Sequence, residues 1–340
     1  MYVHVGVPKS GTTFLQGTLA NRRKQLRAAG VLYPQVGPES MFRAAVDVRR
    51  AHKSWGRDRS DVKGVWDQLC RKARQYDGHT VLSHELLAGA TGRQAAGALS
   101  MLKGLDVHVV VTARDLVHQA TAEWQESLKH GRRVTFEEFR ERIMAPEREH
   151  DHAERFWASQ DVPDVLARWG ATLPREHVHV VVCPPPGSDP AVLWRRFAGA
   201  VGFDPRPFED DLGSSTNSSL GVVEIDLLRR VNLALDGRLA QPAYGRVVKQ
   251  HFTKQLLVQH RSARPEVPPD MYDELVELAT DWVKQLDRAG YAVHGDLNEL
   301  VPDGPAPSGR HPDDVDPAAV VDTSASVIAD LLVELAQLRP

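Results

Sequence analysis

The residues Gly6-Val7-Pro8-Lys9-Ser10-Gly11-Thr12-Thr13 close a Val-rich segment, residues 2–7, and lead into a helical pattern beginning at Thr12. Two glycines five apart let the backbone curl with its N–H groups turned inward. A helix N-terminus adds partial positive charge, so such a turn is an anion site. Ser10, Thr12 and Thr13 add hydroxyl donors and Lys9 adds a full charge. The nucleotide-triphosphatase signature G-x-x-x-x-G-K-[ST] shares this glycine spacing but has a lysine where this chain has Thr12. No apolar strand ending in an aspartate suited to Mg²⁺ accompanies the loop, because residues 107–113 run into Arg114 before Asp115 is reached. The loop therefore suits a phosphate-like group without the usual lysine of an ATPase. The plainer alternative is a strand–turn–helix whose glycines serve only the turn.

Two other Val-rich runs end in reactive side chains. Residues 107–113 end at Arg114, which opens the next helical pattern. Ligands of open parallel sheets bind outside the carboxyl ends of the strands, and a guanidinium there can grip a phosphate with two hydrogen bonds. The alternative for Arg114 is an ion pair with Asp115 or another carboxylate. Residues 80–83 end at His84 and Glu85. Either can take a proton from a hydroxyl or amine, although neighbours on a strand point to opposite sides, so both facing one cleft is not expected.

With these residues in place, Pro8-Lys9-Ser10-Gly11-Thr12-Thr13 after an N-terminal strand resembles the 5′-phosphosulfate loop of the sulfotransferases that use 3′-phosphoadenosine 5′-phosphosulfate (PAPS). The likeness is closer to the bacterial and carbohydrate-type branch than to the cytosolic one, whose loop usually continues Thr-Trp where this chain has Thr13-Phe14. The resemblance covers about residues 1–130. It implies a P-loop-like α/β fold with a central parallel sheet, PAPS as cofactor and 3′,5′-adenosine bisphosphate as product. It further implies that Pro8, Lys9, Ser10, Gly11, Thr12 and Thr13 bind the cofactor, with Lys9 also catalytic. Family members hold the 3′-phosphate with an arginine at this strand end and a serine eight residues on. Arg114 matches, but the serine position holds Ala122, and the neighbouring Thr121 is the candidate replacement. The Ser83-x-Glu85 pattern resembles the strand-end glutamate that acts as base in the carbohydrate-type enzymes, which makes Glu85 the first candidate and His84 the second. The implied reaction transfers a sulfuryl group to a hydroxyl or amine of a carbohydrate or small-molecule natural product. Two other readings stay open: a Mg²⁺-dependent P-loop kinase acting on a small molecule, and a nucleotide-binding protein without catalysis.

The elements that must position these residues follow from hydropathy. The runs 2–7, 80–83, 107–113 and 177–183 are short, continuous and β-branched, as suits strands buried on both faces. Helical patterns fill 12–29, 116–130, 136–144, 162–169, 191–201, 222–235, 244–259 and 272–289, so an α/β fold with a mostly helical second half is expected. Trp124 continues the apolar stripe of the 116–130 helix and reads as core. One domain over 1–300 is expected, with the cofactor-binding core in 1–130 and a helical acceptor region in 131–300. A Pro/Gly-rich linker follows at 301–317, then an amphipathic helix at 318–340 carrying Val321, Ala325, Ile328, Leu332 and Leu335. That helix can dock on its own chain or join two copies as a homo-oligomer. Asn217-Ser218-Ser219-Leu220 reads as a helix cap, and the basic residues from Arg246 to Arg264 read mainly as a solvated face.

Among the 340 residues, 42% are hydrophobic and 26% charged, and the net charge is −3. This balance excludes a mostly disordered chain and gives no bulk attraction to nucleic acid or to an anionic membrane. Two cysteines make neither a disulfide framework nor a cysteine zinc site, and no apolar run reaches bilayer length. The N-terminus lacks signal-peptide character, so a cytoplasmic location is expected. His150 and His152 are ill spaced for one helix face, and no metal site is expected.

Overall fold

The computed structural model describes residues 1–210, 212, 219–302, 307–308 and 310–338. Asn217 and Ser218 of the anticipated cap lie outside the described residues, as do 303–306 and 309 of the anticipated linker.

The chain forms two compact units that interleave along the sequence. The first comprises Met1–Gln119, Glu154–Ser215 and Leu275–Asp303; the second comprises Ala120–Ala153, Thr216–Glu274 and Gly304–Pro340.

The first unit is built on a parallel sheet. Its strands among the described residues are β1 (Tyr2–His4), β2 (Val31–Leu32), β3 (His79–Ser83), β4 (His108–Ala113), β5 (Val178–Val182) and β6 (Ala292–His294), in the order β2-β3-β1-β4-β5-β6. The expected α/β class is therefore observed, and the four anticipated strands are all present. The edge strands β2 and β6 are additions, too short to stand out in the hydropathy pattern. β1 occupies the centre, with Val3 paired to Leu82 of β3 and Val109 of β4. Val3, Val81, Leu82, Val109–Val111 and Val180–Val182 are fully buried, as a sheet covered on both faces requires. Leu15, Leu19 and Leu26 from the helices Thr12–Asn21 and Arg23–Ala28 share one apolar cluster with Trp194, Phe197 and Val201 of the Pro190–Val201 helix, against Val81, Val110 and Val181. Each such aliphatic side chain contributes about 1.5–3 kcal/mol by leaving water. The Val162–Gly170 helix buries Val162, Val165, Leu166 and Trp169, and the Trp169 indole donates to the Leu87 carbonyl at 3.1 Å.

Among its described residues the second unit has helices and connecting segments but no strand. Trp124 is core, as expected: it is 2% exposed, donates to the Val134 carbonyl and meets Phe136 edge-to-face. Asn232 donates to the carbonyls of Leu128 (2.8 Å) and Arg132 (2.9 Å) and accepts from Tyr244 at 2.6 Å, so this interior polar group is satisfied. Lys249 pairs with Glu126, as its reading as a charged-face residue allows. Residues 245–256 form a widened, π-type helix in place of the regular one anticipated over 244–259.

The C-terminal helix, Pro317–Leu338, packs on the Val222–Leu235 helix, but not through the anticipated stripe. Val320 and Val327 are buried, whereas Val321, Ile328, Leu332 and Leu335 are 65%, 55%, 60% and 47% exposed. A helix apolar on most of its circumference does not name its docking face, and the neighbour's shape selects it.

Candidate active site

The chain leaves β1 at its carboxyl end, and the ladder continues briefly, with Val5 N donating to Val110 and Val7 N to Thr112. The backbone then turns in alternating senses. Lys9 has φ 67° and Gly11 φ 77°; Ser10 between them and Thr12 after them have no positive φ. Alternation of this kind points successive N–H groups to one side and makes a concavity for an anion. A lysine in the left-handed region is uncommon and strained, which is a feature of functional loops. Glycine is required at both ends. A Cβ on Gly11 would lie 2.3 Å from Leu193, and one on Gly6 would lie 2.1 Å from Thr112 Oγ1 and 2.7 Å from His4 Nε2.

The loop is held from beneath by a buried polar chain. His4, fully buried in β1, has Nδ1 2.7 Å from Ser83 Oγ on β3 and Nε2 3.2 Å from Thr112 Oγ1 on β4. Thr112 Oγ1 in turn meets Ser10 Oγ at 2.6 Å, and Ser10 Oγ donates to the Val7 carbonyl. The Ser10 hydroxyl is thus engaged under the loop. Cys183 Sγ donates to the Ser10 carbonyl, and the amides of Gln119 and Gln160 both donate to the Pro8 carbonyl at 3.2 Å. Thr12 is buried in the first helical turn, while Thr13 is exposed. Sequence reasoning missed His4, Gln119 and Gln160. A lone histidine in a strand, and glutamines 111 and 152 positions from the residue they hold, leave no local signal.

Arg114 follows β4 two residues after Thr112, at the same sheet edge as the loop. Its Nε forms the ion pair with Asp115 named as the alternative, at 3.6 Å from Oδ2, but that distance is beyond hydrogen-bond reach and this buried nitrogen makes no hydrogen bond among the described residues. Asp115 is otherwise occupied, since its Oδ1 caps the Leu116–Lys129 helix by accepting from His118 N at 2.9 Å and also meets His118 Nδ1 at 2.8 Å. Burial alone would raise its pKa; these bonds and the nearby charges of His118 and Arg114 outweigh that and keep the carboxyl below its usual range. Thr121 lies on the same helix, in the part assigned to the second unit, and the site described here is the one the first unit builds by itself.

β3 stops at Ser83. His84 is still extended and places its N–H 3.3 Å from the His4 carbonyl; a 3₁₀ turn, Glu85–Gly89, then begins. That turn cancels the alternation rule, and His84 Nδ1 and Glu85 Oε2 lie 3.7 Å apart instead of on opposite sides. His84 Nδ1 accepts from Leu86 N and so caps the turn, and burial lowers its proton affinity while the Glu85 charge opposes this. Glu85 Oε2 accepts from the Gln16 amide at 2.8 Å, from the helix that follows the loop. Burial pushes the Glu85 carboxyl up, but His84, the Gln16 bond, a backbone bond and His4 together bring it below its ordinary value. The carboxylate is thus ionised and 31% exposed, which is the state needed to accept a proton.

The first unit thus places the Gly6–Thr13 turn, a strand-end arginine and a strand-end carboxylate at the carboxyl ends of its parallel strands. No family model and no curated protein matches the chain. Among solved structures, a sulfotransferase from Alicyclobacillus acidocaldarius aligns over 88% of this chain and 97% of its own, with 14% identity and a TM-score of 0.42. No helix among the described residues is long and apolar enough to cross a membrane.

Proposed function

We infer that the protein is a PAPS-dependent sulfotransferase acting on a hydroxyl or amine of a carbohydrate or small-molecule acceptor. The observation that carries the reading is the pairing of the alternating-φ loop with the buried Nε of Arg114, which makes no hydrogen bond among the described residues, at the same sheet edge. A buried guanidinium nitrogen left without an acceptor is costly unless an anion completes it. The residues fit a ligand with two separated anionic groups, such as PAPS. The loop amides of 9–13 and the Lys9 ammonium would hold its phosphosulfate end, and Arg114 its 3′-phosphate.

The bound cofactor supplies an activated sulfuryl group. Lys9 compensates negative charge that grows on the departing phosphate, an interaction worth more in the transition state than before it. Glu85 accepts the acceptor's proton, and Gln16 fixes the orientation of the carboxylate that does so. His84 is a positioning residue, since its Nδ1 is committed to the Leu86 amide.

Thermal unfolding with added nucleotides tests this reading. Adenosine 3′,5′-bisphosphate should stabilise the protein, by about 2.7 kcal/mol at a hundredfold excess over Kd. ATP, with or without Mg²⁺, should have little effect. Stabilisation by Mg²⁺-ATP with none by the bisphosphate would instead establish the kinase reading.

A further inference from the structure

The opposite edge of the sheet, at the amino ends of the strands, carries a polar cluster that this reaction does not use. His108 opens β4 and His177 immediately precedes β5; the pairing of Val109 with Val178 sets the two side by side, with ring centroids 4.1 Å apart. Asp106 reaches both, with Oδ2 3.2 Å from His108 Nε2 and Oδ1 3.4 Å from His177 Nδ1. One donor atom from each of the three lies within 4.8 Å of the others. The site is about 20 Å along β4 from the Arg114 end, given ~3.3 Å per residue.

We propose that Asp106, His108 and His177 bind one divalent transition-metal ion of the zinc class. Two imidazoles and one carboxylate are a donor set for such ions, with the remaining positions open to water. The surroundings match those of a metal-binding histidine. The other nitrogen of His108, Nδ1, lies 2.9 Å from His179 Nε2, and His179 Nδ1 lies 3.1 Å from His294 Nε2 on β6. Partners of this kind fix tautomer and ring orientation and raise ligand basicity. When the three-imidazole chain runs its protons from His108 toward His294, the His108 Nε2 lone pair faces the Asp106 carboxylate, and two acceptors 3.2 Å apart call for a cation between them. Run the other way, His108 Nε2–H donates to Asp106 and no ion is needed. Access is open, since the Asp106 side chain is 73% exposed.

Calorimetric titration of the chelator-treated full-length protein with Zn²⁺, and with Co²⁺ followed by visible absorption, separates these two states. One equivalent should bind saturably. His177→Asn and Asp106→Asn should each weaken binding at least about tenfold, and His179→Gln about 10–100-fold. A His150→Asn/His152→Asn control should leave binding unchanged. Both Asp106 and His177 are partly exposed, so their variants should unfold at the unmodified protein's midpoint in chelator, which separates lost binding from lost fold. Absence of saturable binding, or binding indifferent to His177→Asn and Asp106→Asn, would overturn the proposal and leave a proton-sharing histidine chain ending at Asp106.

Discussion

His4 Nδ1 lies 2.7 Å from Ser83 Oγ, and through its other nitrogen the same ring reaches Thr112, so one buried imidazole ties the central strand to both its neighbours directly beneath the anion loop. Burial pushes His4 down to about 3; the Glu85 charge opposes this and His84 adds to it. In the unfolded chain His4 takes up its proton near 6.5, so between about 3 and 6.5 the unfolded state binds more protons. Folding should therefore weaken as pH falls through that window, by up to about 1.4 kcal/mol per pH unit for this one group. Urea unfolding at pH 7 and pH 5 should show a smaller acid loss in His4→Gln than in the unmodified protein. Equal losses would mean that His4 is not the buried neutral ring described.

Glycine at position 6 is a packing requirement. A Cβ there meets Thr112, Thr12 and His4 at 2.1, 2.6 and 2.7 Å, so Gly6→Ala should destabilise by about 3 kcal/mol or more. Gly17, in the Thr12–Asn21 helix, has open space around its Cβ position, and Gly17→Ala should stabilise by roughly 0.5–1 kcal/mol. Chemical denaturation of the two variants checks the contrast.

Arg114→Ala should lower the affinity for adenosine 3′,5′-bisphosphate about 10–100-fold, since a hydrogen bond to a charged group is worth about 1.5–3 kcal/mol. Because its Nε makes no hydrogen bond among the described residues and its ion pair with Asp115 is long, the loss of affinity in the variant should exceed its loss of stability. Isothermal titration and unfolding on the same preparation measure both effects. A stability loss with unchanged affinity would assign Arg114 a purely structural role.

Glu85→Gln should reduce sulfuryl transfer to a hydroxyl acceptor by about 10²–10⁴-fold while leaving bisphosphate affinity unchanged. The Glu85 carboxyl titrates below its ordinary 4.5, so this group stays ionised and the rate should not fall on its account between pH 8 and pH 5. A pH–rate profile over that range checks the sign. An acid limb below pH 6.5 that disappears in His84→Ala would move the base to His84.

The orientation of the C-terminal helix is testable with two adjacent positions. Val327 is 2% exposed and Ile328 is 55% exposed. Val327→Asp buries a charge without a partner and should cost several kcal/mol, whereas Ile328→Asp should change stability by less than about 0.5 kcal/mol. The reverse order would place the anticipated stripe inward.

The sequence by itself determined what is local. The loop from Gly6 to Thr13 is legible because left-handed turns and a helix N-terminus impose composition within eight residues. β1, β3, β4 and β5 are legible because strands buried on both faces must be continuously apolar. Tertiary structure decided what depends on distant partners. Only sheet pairing brings Ser83 and Thr112 to His4, 79 and 108 positions away, and sets His177 beside His108. The turn that ends β3 put His84 and Glu85 together against the alternation expected of a strand. The shape of the Val222–Leu235 helix, and not the apolar period of 318–340, chose which valines of the last helix are buried. Backbone demands and hydropathy act over a few residues, whereas which polar group meets which is fixed only once the loops between them close.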